Sequence, residues 1–105
     1  MTTLNEALDL MMNRFNPAKA RGVNAIIQLI ATGEGGGEYA VSVSEGKATL
    51  TPGAVPNPTV TINVPTQDWI NILSGTLDPT RAFMAGRLRI TGDLGLMMRF
   101  QTMFG

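Results

Sequence analysis

Residues 78–104 constrain the fold of this 105-residue chain more than any other segment, because they spell helix, turn, strand, turn and helix with almost nothing between them. Asp78 offers a cap oxygen and Pro79 suits the first helical position, so a short helix begins there and Gly86 stops it. Arg87-Leu88-Arg89-Ile90-Thr91 then alternates charged and apolar, which predicts a strand with Leu88 and Ile90 inward and both arginines in water. Gly92-Asp93 turns the chain and caps a last helix. At about 100° per residue, Leu96, Met97, Phe100, Met103 and Phe104 share one broad arc of that helix, widened by Leu94 and Met98. So wide an arc calls for a second surface to cover it: a ligand, a membrane or another chain.

The same segment resembles the sterol carrier protein type 2 family of lipid-binding domains. The resemblance rests on the block from Phe83 to Asp93, aromatic-x-x-Gly-basic-Leu-basic-Ile-x-Gly-Asp, followed by Leu94-Gly95-Leu96-Met97-Met98. Leu73-Ser74-Gly75 with Asp78-Pro79, and a Gly-rich hairpin before Tyr39-Ala40-Val41, support it, so that it covers roughly residues 22 to 104. It implies a sheet of about five strands with an apolar tunnel between sheet and helices, and a role in binding and transferring lipids. The family's peroxisomal members end in an address of the Ser-Lys-Leu type, whereas this chain ends Met103-Phe104-Gly105.

Upstream, Thr3-Leu4-Asn5-Glu6 is a capping box, and Leu4, Ala7, Leu8, Met11, Met12 and Phe15 form a helical stripe through about Phe15. Asn16-Pro17 restarts a short helix that Gly22 ends. Val23–Thr32 and Glu38–Ser44 read as strands joined by a Gly-rich hairpin at 33–37. The first is apolar on both faces, as a central strand should be, with Asn24 and Gln28 marking its more polar side; the second has one wet or lightly packed face. Lys47–Thr51 is a third strand, with Ala48 and Leu50 inward. The proline-rich stretch 52–58 is a crossover, since proline cannot sit in a central strand. Val60, Ile62 and Val64 make a fourth strand, and Pro65-Thr66 opens a helix carrying Trp69, Ile70, Ile72 and Leu73 that stops near Gly75. The order predicts a single α+β domain over 1–105, a mostly antiparallel sheet of about five strands with helices on one face.

Several chemistries fall away on composition. There is no histidine or cysteine, which removes Ser-His-Asp and Cys-His nucleophiles, disulfides and thiolate metal sites. Eight basic residues balance eight acidic ones among only six aromatics, so nothing favours nucleic acid. Glu34, Glu38 and Glu45 lie at hairpin ends and Asp68, Asp78 and Asp93 at helix starts, where solvation or capping explains them. No loop has calcium-binding spacing. The loop 33–37 is flanked by Glu34 and Glu38 and followed by no Gly-Lys-Ser/Thr, so it reads as a hairpin and not as a phosphate cradle. No catalytic residue, metal or cofactor is therefore expected. The start lacks a basic n-region and has Glu6 and Asp9 early, which predicts no secretory signal and a cytoplasmic protein.

The residues expected to touch a ligand are Trp69, Ile72, Leu73, Phe83, Met84, Leu88, Ile90, Leu94, Met97, Met98, Gln101 and Met103. Taken alone, Trp69, Ile72 and Leu73 suit core packing better than ligand contact, and the resemblance turns them toward the cavity. Flexible methionine side chains conform to ligands of variable shape, and four of the seven lie between Met84 and Met103. Gln101 falls inside the apolar arc, so its amide would bond a neighbouring backbone group or a ligand oxygen. Arg81, Arg87, Arg89 and Arg99 make this end locally basic, a solvated face or a greeting for an anionic head group. The expected function is non-catalytic binding and transfer or presentation of a fatty acid, fatty acyl coenzyme A, phospholipid or isoprenoid, with sterol less favoured. The alternative is an assembly module of a lipid or isoprenoid-quinone pathway whose last helix packs on a partner chain. Expected partners are the lipid and, transiently, a membrane surface or a lipid-metabolising protein, around a monomer or weak dimer.

Overall fold

The computed structural model describes residues 2–105. Helix α1 spans Leu4–Asn13, and its capping box is formed: the Thr3 hydroxyl accepts from the Glu6 N–H at 3.2 Å while the Glu6 carboxylate accepts from the Thr3 N–H at 3.1 Å. The helix stops two residues short of Phe15, which turns to stack its ring 5.2 Å from Phe104. A 3-10 turn at Pro17–Ala20 follows, capped by the Asn16 side chain.

Five strands come next: β1 Ala25–Thr32, β2 Gly37–Ser44, β3 Lys47–Pro52, β4 Val60–Pro65 and β5 Arg89–Gly92. They form one sheet in the order β3-β2-β1-β4-β5, with β1 and β4 parallel and the other three pairings antiparallel. Parallel neighbours need a long connection, and here the whole β2–β3 hairpin plus the proline-rich stretch supplies it. The register sets Leu29 opposite both Tyr39 and Ile62, so Ile27, Leu29, Val41, Val43, Val60, Ile62 and Val64 bury one continuous face under the helices. The α+β class and the five-strand sheet are as the sequence predicts.

The other face is less wet than its sequence suggests. Gln28 is 3% exposed, donating from Nε2 to the carbonyls of Tyr39 (3.0 Å) and Gly53 (3.2 Å) and accepting at Oε1 from the Val55 N–H (2.8 Å). The crossover is thereby pinned across the sheet and buries Gln28 and Ala40. A polar residue on a central strand here satisfies backbone groups that a proline-rich segment leaves open.

Helices α2 (Thr66–Ser74), α3 (Pro79–Met84) and α4 (Leu94–Phe104) complete the fold. Asp78 and Asp93 cap α3 and α4 as expected, accepting from Thr80 and Leu96 N–H groups. Asp68 does not cap: it is buried and takes both oxygens to Arg87, at 2.9 Å to Nε and 2.7 Å to Nη2. This corrects two expectations together. Arg87 is not a free solvated strand residue, and β5 begins at Arg89 because the backbone N–H groups of Arg87 and Leu88 are still bonded to the Ala82 carbonyl closing α3.

Candidate functional site

On the helix side, beyond the packed centre of the sheet, two adjoining apolar cavities open near the β5 edge. The first, about 210 Å³, is walled by Met11 and Arg14 of α1 and its C-cap, Trp69, Ile72 and Leu73 of α2, Pro79, Leu88, and Met97, Phe100, Gln101 and Phe104 of α4. The second, about 230 Å³, lies among Pro79, Thr80, Phe83, Leu88, Ile90, Leu94, Met97, Met98 and Gln101. Pro79, Leu88, Met97 and Gln101 belong to both, so the two meet along one ridge of side chains. The walls are positioned by local devices already described: the Asp68–Arg87 pair holds Trp69 and Leu88, the residues next to it in the chain, and the Asp93 cap starts α4 with Met97 facing in.

The polar inventory is short. Arg14 is the one charged side chain in the first cavity, and its Nη1 donates to the Leu73 carbonyl at 2.9 Å, closing the ends of α1 and α2 against each other. The second cavity has no charged wall residue. Trp69 is 3% exposed, and its buried indole N–H has no hydrogen-bond acceptor among the described residues. Such a site shelters hydrocarbon with a single guanidinium at one wall, and among the described residues its lining holds no pair of titratable groups for proton transfer. A larger cleft of about 630 Å³ at the N-terminal ends of α1 and α2 mixes Leu4, Pro65 and Ile70 with threonines, glycines, Gln67 and the Glu34 carboxylate, so polar groups interrupt the wall that a chain of methylenes would need. Among the described residues no group of three or more His, Cys, Asp or Glu side chains is placed to hold a metal ion.

Of the twelve residues expected at a ligand site, ten line one or both cavities. Met84 and Met103 do not. Met84 is 81% exposed on the last turn of α3, and Met103 is fully buried against the core, its carbonyl bonded to the Asn16 N–H at 2.8 Å. Gln101 lines both cavities yet is solvent-exposed, because α4 rolls its arc inward at Leu96, Met97, Phe100, Met103 and Phe104 and leaves position 101 at the rim. Met11, Arg14, Pro79, Thr80, Phe100, Phe104 and Gly105 line the cavities in addition to the expected residues. Phe100 and Phe104 were visible as members of the apolar arc, whereas nothing local in the sequence brings the end of α1 to this cavity.

A family model described as the SCP-2 sterol transfer family matches residues 4–105. The chain belongs to that family. The SCP-2 family is associated with lipid binding and transfer. Among curated relatives, Hydroxysteroid dehydrogenase-like protein 2 of Xenopus tropicalis is 27% identical over 103 residues, 97% of this chain, and Sterol carrier protein 2 of Homo sapiens is 33% identical over 76 residues, 70% of it. The chain spans 25% of the first relative's length and 14% of the second's, so it corresponds to the SCP-2 part of longer proteins. The solution structure of palmitated SCP2L2 from Aedes aegypti shares the fold with a TM-score of 0.78 at 22% identity, covering 99% of this chain and 96% of that one. The UbiJ-SCP2 ubiquinone synthesis protein does so at 0.68 and 16% identity, covering 94% and 88%.

Proposed function

We propose that this SCP-2 chain binds a long-chain lipid, a fatty acid or its coenzyme A ester ahead of a phospholipid or isoprenoid, and carries or presents it as a single domain in the cytoplasm without transforming it. The observation that carries the reading is the pair of adjoining cavities, apolar throughout except for Arg14 and the rim residues Gln101 and Thr80. Each methylene taken from water into such a site contributes about 0.8 kcal/mol, so a long acyl chain binds well with little polar recognition. Chain-length selectivity is correspondingly weak, since at that figure one methylene changes the affinity only about fourfold. Trp69, Ile72, Leu73, Leu88 and Met97 form the inner wall in this reading, with Phe83, Ile90, Leu94, Met98 and Gln101 toward the outside. Met11, Phe100 and Phe104 are added to it, and Met84 and Met103 are set aside.

The palmitate named for the Aedes aegypti protein is a ligand of the proposed class. The assembly alternative is the weaker one because the chain itself covers the centre of the apolar arc of α4, leaving only Leu94 and Met98 outside: Phe100 and Phe104 stack at 4.7 Å, and Met103 is fully buried. The same packing supports reading the end of α4 as a wall of the cavity in preference to a hinged lid. Mass spectrometry of an organic extract of the purified protein, paired with displacement of a fluorescent fatty acid, tests the reading. Stoichiometric lipid with micromolar or tighter displacement is expected. An empty protein that ignores fatty acids, acyl coenzyme A and phospholipid alike would sink it.

A further inference from the structure

We propose that Arg87, Arg89 and Asn63 form a binding site for a phosphate monoester, on the side of β5 that points away from the lipid cavities. The site goes beyond the lipid-binding reading and does not depend on it. Alternation along the strand turns Leu88 and Ile90 into the cavities on the helix side and Arg89 to the opposite side. A cleft of about 360 Å³ opens there, lined by Thr32, Asn63, Pro65, Gly86, Arg87 and Arg89. Small-molecule sites run from about 300 to 1,000 Å³, so there is room for a phosphate and part of what it is attached to.

The fold sets the donors in place. The register pairs Arg89 directly with Asn63, so their side chains stand together on one face of the sheet. Arg87 is fastened through Nε and Nη2 to the buried carboxylate of Asp68, which leaves its Nη1 without a partner among the described residues and the side chain 57% exposed. A guanidinium already held in one geometry loses little freedom when an anion arrives. Asp68 offsets one of the two charges, and Arg89 is in no ion pair among the described residues, so the cleft keeps one unpaired positive charge and no acidic lining residue. The exposed Asn63 amide adds two uncharged N–H donors. Guanidinium forks match phosphate oxygens in pairs, and a monoester offers three free oxygens and nearly two charges where a carboxylate offers two oxygens and one.

The other clefts differ. The inner cavity has Arg14 alone, and the cleft at the starts of α1 and α2 has Glu34 and no cation. The cleft beside Gly22 and Gly95 sets Arg99 near Asp93, and that guanidinium already donates to the carbonyls of Lys19 and Arg21. Position adds a second point. Strand β5 is the edge of the sheet, so no further strand lies outside the wall between this cleft and the outer cavity. The phosphate can therefore belong to a free metabolite or to the far end of a ligand whose chain lies in the outer cavity, and the chemistry of the cleft is the same for both.

Titration of the full chain with adenosine monophosphate, followed by backbone amide shifts in a nitrogen–proton correlation spectrum, tests the site against adenosine as the control without phosphate. Saturable shifts at Asn63 and at residues 87–89 are expected with the monophosphate alone, weakened by salt. Arg89→Gln should weaken binding about tenfold through the loss of a charge-assisted contact, and Asn63→Ala about threefold. Lys47→Gln, which removes an exposed positive charge from β3 at the opposite edge of the sheet, should leave it unchanged. Absence of saturable shifts, equal shifts with adenosine, or an equal loss from Lys47→Gln overturns the proposal. Displacement of a fluorescent fatty acid by palmitoyl coenzyme A and by palmitate then identifies the source of the phosphate. If Arg89→Gln weakens the coenzyme A ester and spares palmitate, the phosphate is the head of the carried lipid; if it spares both while adenosine monophosphate binding falls, the phosphate belongs to a free metabolite. An equal loss for both lipids overturns the site, because Arg89 would then act through the fold. A chain that binds palmitate and ignores adenosine monophosphate defeats the site and leaves the lipid reading standing, and one that binds the monophosphate and ignores palmitate does the reverse.

Discussion

Replacing Arg87 with methionine removes the partner of a carboxylate that has nowhere else to turn. Asp68 keeps 6% of its side-chain surface, and both oxygens are engaged by one guanidinium in a bidentate pair. Arg87 itself is 57% exposed, so its half of the interaction is screened and the full cost of breaking a buried pair does not apply. Two lost charge-assisted bonds and a stranded carboxylate then cost about 2–3 kcal/mol. For a domain of this size each kcal/mol moves Tm by about 4–8 °C, so a fall of about 10–20 °C is expected in a circular-dichroism melt. The same change should disturb the cavity, because Trp69 and Leu88 are the next residues along from the two partners. Trp69 is the only tryptophan, so its emission reports that wall alone. The double variant Asp68→Asn/Arg87→Met should be more stable than Arg87→Met, with a coupling of at least about 1 kcal/mol. A Tm loss under about 3 °C for Arg87→Met, or strict additivity in the cycle, would refute the claim that this pair fastens α2 to the approach of β5.

Met97→Gln, at the ridge shared by both cavities, should weaken fluorescent fatty-acid binding about tenfold or more with the sheet intact by circular dichroism; Met98→Gln, at the exposed rim, should weaken it far less. The backbone N–H of Thr3, and secondarily its hydroxyl, hold the Glu6 carboxyl below its usual value of 4.5. A depressed acid stabilises above its unfolded pKa and loses that contribution as pH falls through the folded one, so the Tm gap between wild type and Glu6→Gln should be present at pH 6 and close below 4.5. Gly92→Ala should destabilise by about 2 kcal/mol or more in urea titration, because φ is +110° and an added Cβ would lie 2.5 Å from the Thr59 carbonyl oxygen where β5 meets β4.

Where periodicity and punctuation decide the outcome, the sequence was readable. The alternation through Val60, Ile62 and Val64, the caps at Thr3, Asp78 and Asp93, and the inward arc of α4 are local consequences of residue spacing, and all are formed. Long-range pairing was not readable in the same way. Nothing in Asp68 or Arg87 taken alone announces a partner 19 positions away, and Asp68 near a helix start imitates a cap. Gln28 likewise looks like the mark of a wet face, because its three distant backbone partners come from a strand 11 residues on and a loop 25 to 27 residues on. For the candidate site, the resemblance and the arc located α2, β5 and α4. The contribution of Met11 and Arg14 depends on how α1 crosses α2, a packing angle that the amphipathic stripe does not encode.

The parallel pairing of β1 with β4 also sets an order in time. Strands β1, β2 and β3 are consecutive hairpins and can pair as soon as they leave the ribosome, whereas β4 must wait for the connection that Gln28 pins. Apart from Met11 and Arg14, every residue lining the two cavities lies beyond β4 in the chain, the latest of them on the last turns of α4 and at its C-cap Gly105. A nascent chain therefore carries a half-built sheet with no place to hold a lipid until its final helix emerges, and competence to bind arrives in one late step rather than by degrees.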